Sequence, residues 1–301
     1  MFVKRSFFTT VDHAFEIQAV EEVDCNLCGA SDYGVVTTEN DFEVRECHDC
    51  GLVYVSPQPQ SGELEKFYAG LYAESDADAT SESSLGYVER HIRRIVARRC
   101  PHSGALLEIG CGRGGFLLAM RDTPFELSAI ELDARAAAYA REAVPGVPIQ
   151  ESTIEAATVP EASQDAVVAI AVLEHVKDPR AVLRTMSAWL KPEGVLIVQV
   201  PRVTPFLKAK RWLPGIPIYF EAPRHLFDFS PDTLHRYFAE LGYGDIRVEV
   251  ARPYSSNGVV GLIGIWAVKG MGMVLHRLSR GRYMYPYAGA FVIHAYKRGD
   301  T

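Results

Sequence analysis

The sequence predicts an α/β protein: a doubly wound seven-stranded sheet preceded by a small N-terminal module. Three observations support this prediction. Short apolar runs alternate with amphipathic segments after residue 105, a glycine-rich loop follows the first run, and two Cys-x-x-Cys pairs lie within the first 50 residues. Of the 301 residues, 48% are apolar and 23% charged. This composition allows a buried core and excludes collagen-like, disordered and disulfide-scaffold classes.

Composition also predicts the domain boundaries. Residues 74–83, ESDADATSES, contain four acids, no base and no large apolar side chain, so we expect a flexible connector there. The segment YVERHIRRIVARRC that follows has the apolar spacing of an amphipathic helix. We therefore expect a module over 1–70, the connector and helix over 71–100, and the main domain over 101–301.

The two cysteine pairs have the spacing of a metal site. Cys25, Cys28, Cys47 and Cys50 form a C-x2-C-x18-C-x2-C pattern, which is typical of a four-thiolate zinc site. Four protein ligands leave no coordination position open for catalysis, so the sequence predicts a structural Zn²⁺ in a zinc-ribbon module. The alternatives are redox chemistry and nucleic-acid binding. The acids between the pairs disfavour contact with phosphates.

The main domain alternates predicted strands and helices. A continuous apolar run such as the one within QDAVVAIAVLEHV is typical of a strand buried on both faces. Asp133 and Ser230 are suitable N-caps, and Gly242 is a suitable stop for the second of these helices. We expect strands within 105–110, 126–131, 147–150, 164–176, 195–200, 245–251 and 290–297. We expect helices within 114–122, 133–144, 179–190 and 230–242, with Lys-Pro-Glu-Gly ending the third helix.

The loop after the first strand matches a common nucleotide-binding pattern. Its glycines at 110, 112 and 115 fit G-x-G-x-x-G, and Glu131 ends the second strand. Taken alone this pattern is weak, and a dehydrogenase remains an alternative. Glu108 lies two residues before the first glycine. A carboxylate there repels a diphosphate but suits an ammonium group, which moves the prediction away from a dinucleotide.

The combined motifs resemble the class I S-adenosylmethionine-dependent methyltransferases. The residues are Glu108-x-Gly110-x-Gly112, an acid ending the second strand, VLEHVKDP after the fourth and LKPEGVLIV into the fifth. The resemblance covers about 100–252, with 289–297 as the last strand. CNLCG…CHDCGLVYVSPQP and PRHLFDFSPDTLHRYFAELGY resemble a subgroup with an N-terminal zinc ribbon that includes sugar C-methyltransferase-like proteins.

The resemblance implies an S-adenosyl-L-methionine site. Gly110, Gly112 and Gly114 would let the backbone approach the methionine part, and Glu108 would face its ammonium group. Glu131 would accept from both ribose hydroxyls. The remaining implied cofactor residues are Thr153 and Ile154 after the third strand, next to the adenine, and Val172 at the end of the fourth.

The candidate catalytic residues follow the fourth and fifth strands. His175 lies beside the expected methyl position, and His225 lies in a segment that also contains Tyr219 and Glu221. Histidine is the natural general base because its pKa lies near working pH. The subgroup has a Tyr and an adjacent Glu-His pair here, whereas Arg224 precedes His225 in this chain. Base and scaffold roles both stay open for the two histidines, and so do O- and C-methylation.

The predicted partner is a small-molecule or sugar-linked acceptor. The 31 bases and 38 acids give a net charge of −7, which argues against nucleic acid. We expect insertions at about 202–224 and 253–288. The apolar stretch 258–275 suggests a packed helix, contact with a membrane or a lipid-linked acceptor, or a dimer face. No export signal is evident, so we expect a cytoplasmic enzyme, with peripheral membrane contact as an alternative. An RNA methyltransferase and a non-catalytic cofactor-binding protein are the competing functions, and no oligomeric state is predicted.

Overall fold

A computed structural model of the chain describes residues 17, 19–64, 86–210, 219–250 and 289–299. Six helices have both ends within these residues: α1 (Tyr87–Arg99), α2 (Gly115–Met120), α3 (Ala134–Ala143), α4 (Pro179–Trp189), α5 (Thr204–Lys210) and α6 (Pro231–Glu240). The strands of the N-terminal module are β1 (Val20–Glu21), β2 (Tyr33–Glu39), β3 (Phe42–Cys47), β4 (Val53–Val55) and β5 (Gln58–Pro59). Those of the main domain are β6 (Ala105–Ile109), β7 (Glu126–Glu131), β8 (Ile149–Glu151), β9 (Gln164–Ile170), β10 (Leu190–Pro201), β11 (Phe227–Asp228), β12 (Tyr243–Val250) and β13 (Ala290–Lys297).

The main domain is built on a seven-stranded sheet, which confirms the predicted fold class. Its order is β12-β13-β10-β9-β6-β7-β8. The five strands from β10 to β8 are parallel, and β13 runs antiparallel between β10 and β12. The order reverses between β6 and β9, so the carboxyl ends of these two strands border the crevice where open α/β sheets bind ligands.

Local sequence signals place most helix ends where they were expected. The Asp133 carboxylate accepts from the Ala136 N–H at 2.7 Å and begins α3. Ser230 and Thr233 form a reciprocal capping box at the start of α6. α4 ends at Trp189, one residue before the predicted end. The Lys-Pro-Glu-Gly that follows lies within β10, where the register with β9 shifts between Leu190 and Val195.

The N-terminal module forms a second sheet with strand order β11-β4-β3-β2. The hairpin of β2 and β3 turns through Asn40 and Asp41, whose φ values of 51° and 67° suit a two-residue hairpin turn. The fourth strand of this sheet, β11, comes from the main domain, and Phe227 pairs with Tyr54. One strand of the main domain thus completes the sheet of the N-terminal module.

The two parts also share a hydrophobic core. Leu27 and Tyr54 of the module pack in one buried cluster with Leu226, Phe229 and Tyr237. The Tyr237 hydroxyl donates to Asn26 Oδ1 at 2.8 Å, and Asn26 in turn donates to Asp178. The module is therefore packed directly against the domain that contains the glycine loop.

Several predicted segments lie outside the described residues. They are the connector 74–83, residues 211–218 of the first predicted insertion, and the whole of 253–288 with its apolar stretch 258–275. The described part of the first insertion contains α5. Within the ranges that the structure describes, no helix is both long and apolar enough to cross a membrane.

Candidate functional site

The glycine loop turns at the carboxyl end of β6. Gly110, Gly112 and Gly114 have φ values of 66°, 53° and 82°, a region that side chains disfavour. A Cβ at Gly110 would lie 2.6 Å from Val172 Cγ2, whereas one at Gly112 would meet no protein atom within 4 Å. Gly110 is therefore required by packing, and Gly112 faces open space that a ligand can fill.

The Glu131 side chain is hydrogen-bonded to this loop. Its Oε2 accepts from the Gly112 N–H at 2.7 Å, and its Oε1 accepts from the Asp133 N–H at 2.9 Å. Both oxygens are fixed by backbone donors and each retains acceptor capacity, because an ionised carboxylate has about four lone-pair sites. The residue is at the end of β7, as predicted, and it contacts the central glycine directly.

Glu108 is buried in β6 and its Oε2 has no hydrogen-bond partner. Burial raises its pKa well above the ordinary value, and the negative charges of Glu131 and Glu89 raise the pKa further. Three acids thus surround the loop. An anionic diphosphate is disfavoured at such a place, and a cationic group is favoured.

Glu89 was not identified from the sequence. It lies in the first turn of α1, and its Oε1 would be 3.6 Å from a Cβ on Gly115. The only sequence signal was an acid on the partly buried side of a predicted amphipathic helix. Leu132 was also missed: it follows Glu131 and is 51% exposed at the same edge of the sheet.

The predicted adenine-side residues lie next along this edge. The Ser152 N–H donates to the Glu131 carbonyl, which places Thr153 and Ile154 beside the end of β7. Ile154 is buried in the main core, and the Thr153 hydroxyl accepts from the Ala156 N–H at 3.2 Å. Both side chains also have local packing or capping roles.

The candidate catalytic residues gather at the end of β9. The Glu174 carbonyl accepts from the N–H groups of Leu226 and Phe227, which ties the segment 219–228 to this strand end. As a result the rings of His175 and His225 lie 4.9 Å apart, centroid to centroid. Tyr219 is half-buried at the start of the segment, and Glu221 pairs with Arg224 at 3.1 Å.

Backbone carbonyls fix the tautomers of both histidines. His175 Nδ1 donates to the Arg224 carbonyl at 2.9 Å, and His225 Nδ1 donates to the Phe220 carbonyl at 3.1 Å. Each neutral ring therefore presents Nε2 as its acceptor nitrogen. Burial lowers the pKa of His175 to about 3 and also lowers that of His225, so both rings are neutral at pH 7.

Glu174 beside them is almost fully buried, and neither of its carboxylate oxygens has a hydrogen-bond partner. Burial raises its pKa to about 8, so the carboxyl group is protonated in most molecules at pH 7. Its Oε1 lies 3.8 Å from His175 Nε2. A mostly neutral acid and two neutral imidazoles form a largely uncharged cluster. The His175 backbone N–H donates to the carbonyl of Val172, whose side chain lies against Gly110.

The structure brings the four predicted thiol ligands together. Their sulfur atoms all lie within 4.8 Å of one another, and the group could hold a metal ion. The Gly29 and Gly51 N–H groups donate to the carbonyls of Cys25 and Cys47, so each pair sits on a tight turn. All six cysteines are free thiols, and Cys100 and Cys111 lie outside this group.

Comparison with known proteins agrees with this geometry. Residues 84–248 match the family model described as a methyltransferase domain. A ubiquinone biosynthesis O-methyltransferase of Xanthomonas campestris pv. campestris (strain B100) is 31% identical over 164 residues, which are 50% of this chain and 68% of the relative.

Solved structures share the fold at low identity. A SAM-dependent methyltransferase from Thermotoga maritima is 18% identical with a TM-score of 0.51, covering 78% of this chain and all of the other. The [4+2]-cyclase SpnF, also 18% identical, has a TM-score of 0.51 over 81% of this chain and 99% of its own. The family match spans more than half of the chain and includes the glycine loop, Glu131 and the histidine pair. The chain therefore belongs to the methyltransferase domain family and is an S-adenosylmethionine-dependent methyltransferase.

Proposed function

We propose that this methyltransferase acts on a small-molecule acceptor whose attacking oxygen or carbon must lose a proton. The observation that supports this proposal best is the histidine pair, since both rings are neutral with Nε2 as the acceptor nitrogen. The His175 backbone N–H donates to the carbonyl of Val172, the residue whose side chain lies against Gly110 of the glycine loop. The relative of Xanthomonas campestris is named an O-methyltransferase, which favours a hydroxyl acceptor. A sugar-linked hydroxyl is included in this class.

The residues around the loop fit the cofactor. Glu108 has a buried, partnerless oxygen that suits an ammonium group, and the space over Gly112 would receive the methionine part. Glu131 would hold the ribose hydroxyls, with Gly110, Gly114, Thr153, Ile154 and Val172 completing the cofactor contacts. When bound, S-adenosylmethionine supplies an electrophilic methyl group on a sulfonium centre.

The chain's own contribution to catalysis is alignment and proton removal. Reactant alignment supplies most of the rate gain in such a transfer, because it converts a bimolecular step into a unimolecular one. His225 Nε2 would accept the acceptor's proton while its Nδ1–H stays bonded to the Phe220 carbonyl. His175, which is held by the Arg224 carbonyl, and Glu221, which is paired with Arg224, would shape the acceptor side together with Tyr219.

The four thiols would hold a structural Zn²⁺. Thiolates are preferred zinc ligands, and four of them saturate the ion. The proposed role is to fix the turn between Cys25 and Cys28, because its residues Asn26 and Leu27 contact the main domain. The N-terminal module and the domain after residue 100 would then act as one structural unit.

Two competing functions are weaker. An RNA methyltransferase needs basic side chains on the module, and in the described part of the module Arg45 is buried between Glu22 and Glu43. The fold alone does not distinguish a methyltransferase from a non-catalytic or differently reacting protein, since SpnF is named a cyclase. The neutral histidine pair is suited to proton transfer, and so favours a methyltransferase with a small-molecule acceptor over these two functions. The membrane hypothesis depends on 258–275, outside the described residues.

The test is a screen of hydroxylated small molecules with methyl-labelled S-adenosylmethionine, followed by kinetics of variants. With an acceptor identified, His225→Ala should lower turnover by about 10²–10⁴ while cofactor affinity stays nearly unchanged. His235→Ala, an exposed histidine on α6, is the matched control and should behave like the parent. Full turnover in His225→Ala would show that no base is used at this position.

A further inference from the structure

One carboxylate of the N-terminal module is hydrogen-bonded to the segment that contains the candidate base, His225. Glu39 ends β2 at the tip of the hairpin, and its Oε1 accepts from the Phe220 N–H at 2.7 Å. Its Oε2 accepts from the Glu221 N–H at 2.9 Å. These residues are more than 180 positions apart in the sequence, and Phe220 is fully buried.

One peptide group lies between this carboxylate and the imidazole. Its N–H, from Glu221, donates to Glu39 Oε2, and its C=O, from Phe220, accepts from His225 Nδ1. A hydrogen bond to an anion polarises the amide, and chains of hydrogen bonds strengthen one another. The carbonyl that orients His225 is therefore a stronger acceptor than an isolated peptide would be.

We propose that Glu39 is a positioning residue for His225, acting through the peptide group between Phe220 and Glu221. It holds the ring in the Nδ1–H tautomer, so that Nε2 can accept a proton, and it increases the basicity of that nitrogen. A third group that orients a base is common in catalytic sites, and here the orienting group is supplied by the N-terminal module. The inference rests on the proposed role of His225 as base.

The local backbone supports a dedicated role for this contact. Glu221 has φ 71°, a left-handed conformation that non-glycine residues seldom adopt. The neighbouring Asn40 side chain donates to the Ala222 carbonyl at 2.7 Å. Glu39 and Asn40 thus form hydrogen bonds on both sides of Glu221. A residue in such a strained backbone conformation persists only when its surroundings fix it.

The other charged and titratable groups around His225 come from two elements. Glu221 and Arg224 belong to its own segment, and Glu174 and His175 follow β9. Glu221 raises the pKa of His225 and Arg224 lowers it. These groups stay in place when Glu39 is replaced, so a change seen in the variant reports on the path through the peptide.

The experiment measures the His225 imidazole in the full chain by nitrogen NMR, which needs no acceptor. Glu39→Gln keeps the shape, removes the charge and replaces one of the two acceptor oxygens with an NH2 donor. We expect the pKa of His225 to fall by about half a unit in this variant, or threefold in proton affinity. Its nitrogen signals should also move away from the pure Nδ1–H tautomer. Glu39→Asp should restore part of the parent behaviour.

Asn40→Ala is the matched control. It removes the neighbouring contact without changing the charge, so the pKa of His225 should stay at the parent value. An unchanged pKa and tautomer in Glu39→Gln, or equal shifts in Glu39→Gln and Asn40→Ala, would overturn the proposal. Failure of the base hypothesis is distinguishable, because it would appear as full turnover in His225→Ala with the NMR effect of Glu39 intact.

Discussion

Replacing Glu108 with Gln should stabilise the cofactor-free protein and weaken cofactor binding. The carboxylate is buried in β6 with a partnerless Oε2, beside the negative charges of Glu131 and Glu89. Such a group costs the fold about 1–3 kcal/mol. The uncharged amide removes the repulsion.

The pH dependence follows from the raised pKa of Glu108. The folded protein retains a proton that the unfolded chain loses above its ordinary pKa of 4.5. The carboxyl group therefore favours the fold below that pH, and its contribution is lost as pH rises through the folded-state pKa. The stabilisation from Glu108→Gln should accordingly be larger at pH 8 than at pH 5.

Thermal unfolding and calorimetry measure both effects. At about 2 °C per kcal/mol for a chain of this size, Glu108→Gln should raise Tm at pH 8 by roughly 2–6 °C. Loss of a charged partner for the ammonium group should weaken S-adenosylmethionine binding by about 1.5–3 kcal/mol, or roughly 10-fold to 150-fold. Glu126→Gln, an exposed acid at the start of β7, is the control. A Tm lowered equally at both pH values, with unchanged affinity, would refute the reasoning.

Three further predictions concern the loop and the N-terminal module. Gly112→Ala and its control Gly146→Ala both place a Cβ in open space at positive φ, so each should lower the free energy of unfolding by about 1–2 kcal/mol. Calorimetry should show lost cofactor binding only in Gly112→Ala. Elemental analysis should find about one zinc per chain, absent in Cys47→Ser and retained in Cys100→Ser; a metal-free parent would contradict the zinc site. Tyr237→Phe should lower the free energy of unfolding in urea by about 0.5–1.5 kcal/mol, because it removes the hydroxyl that donates to the module; an unchanged value would mean that this bond adds nothing.

The sequence was sufficient for the parts of the fold set by local patterns. Continuous apolar runs marked the buried parallel strands, and Asp133 and Ser230 marked helix starts through their own side-chain hydrogen bonds. The positive φ of Gly112 follows from glycine chemistry in a strand-to-helix loop. These features depend on neighbours within a few residues, so the sequence displays them directly.

Long-range contacts were not predictable in the same way. The pairing of β11 with β4, and the contact of Glu39 with Phe220, join residues far apart in the chain. Nothing in the local sequence of Glu39 distinguishes it from the other acids of the hairpin. Its role depends on where the two parts of the chain pack, which a single sequence does not display.

The most direct test of the central claim is calorimetry of the full chain with S-adenosylmethionine and NAD, compared with Glu131→Ala. The acids around the glycine loop predict that S-adenosylmethionine binds and NAD does not. Because Glu131 would accept from the ribose hydroxyls, Glu131→Ala should weaken binding by about 1–3 kcal/mol. Binding of NAD alone, or equal affinity of Glu131→Ala and the parent for S-adenosylmethionine, would contradict the account.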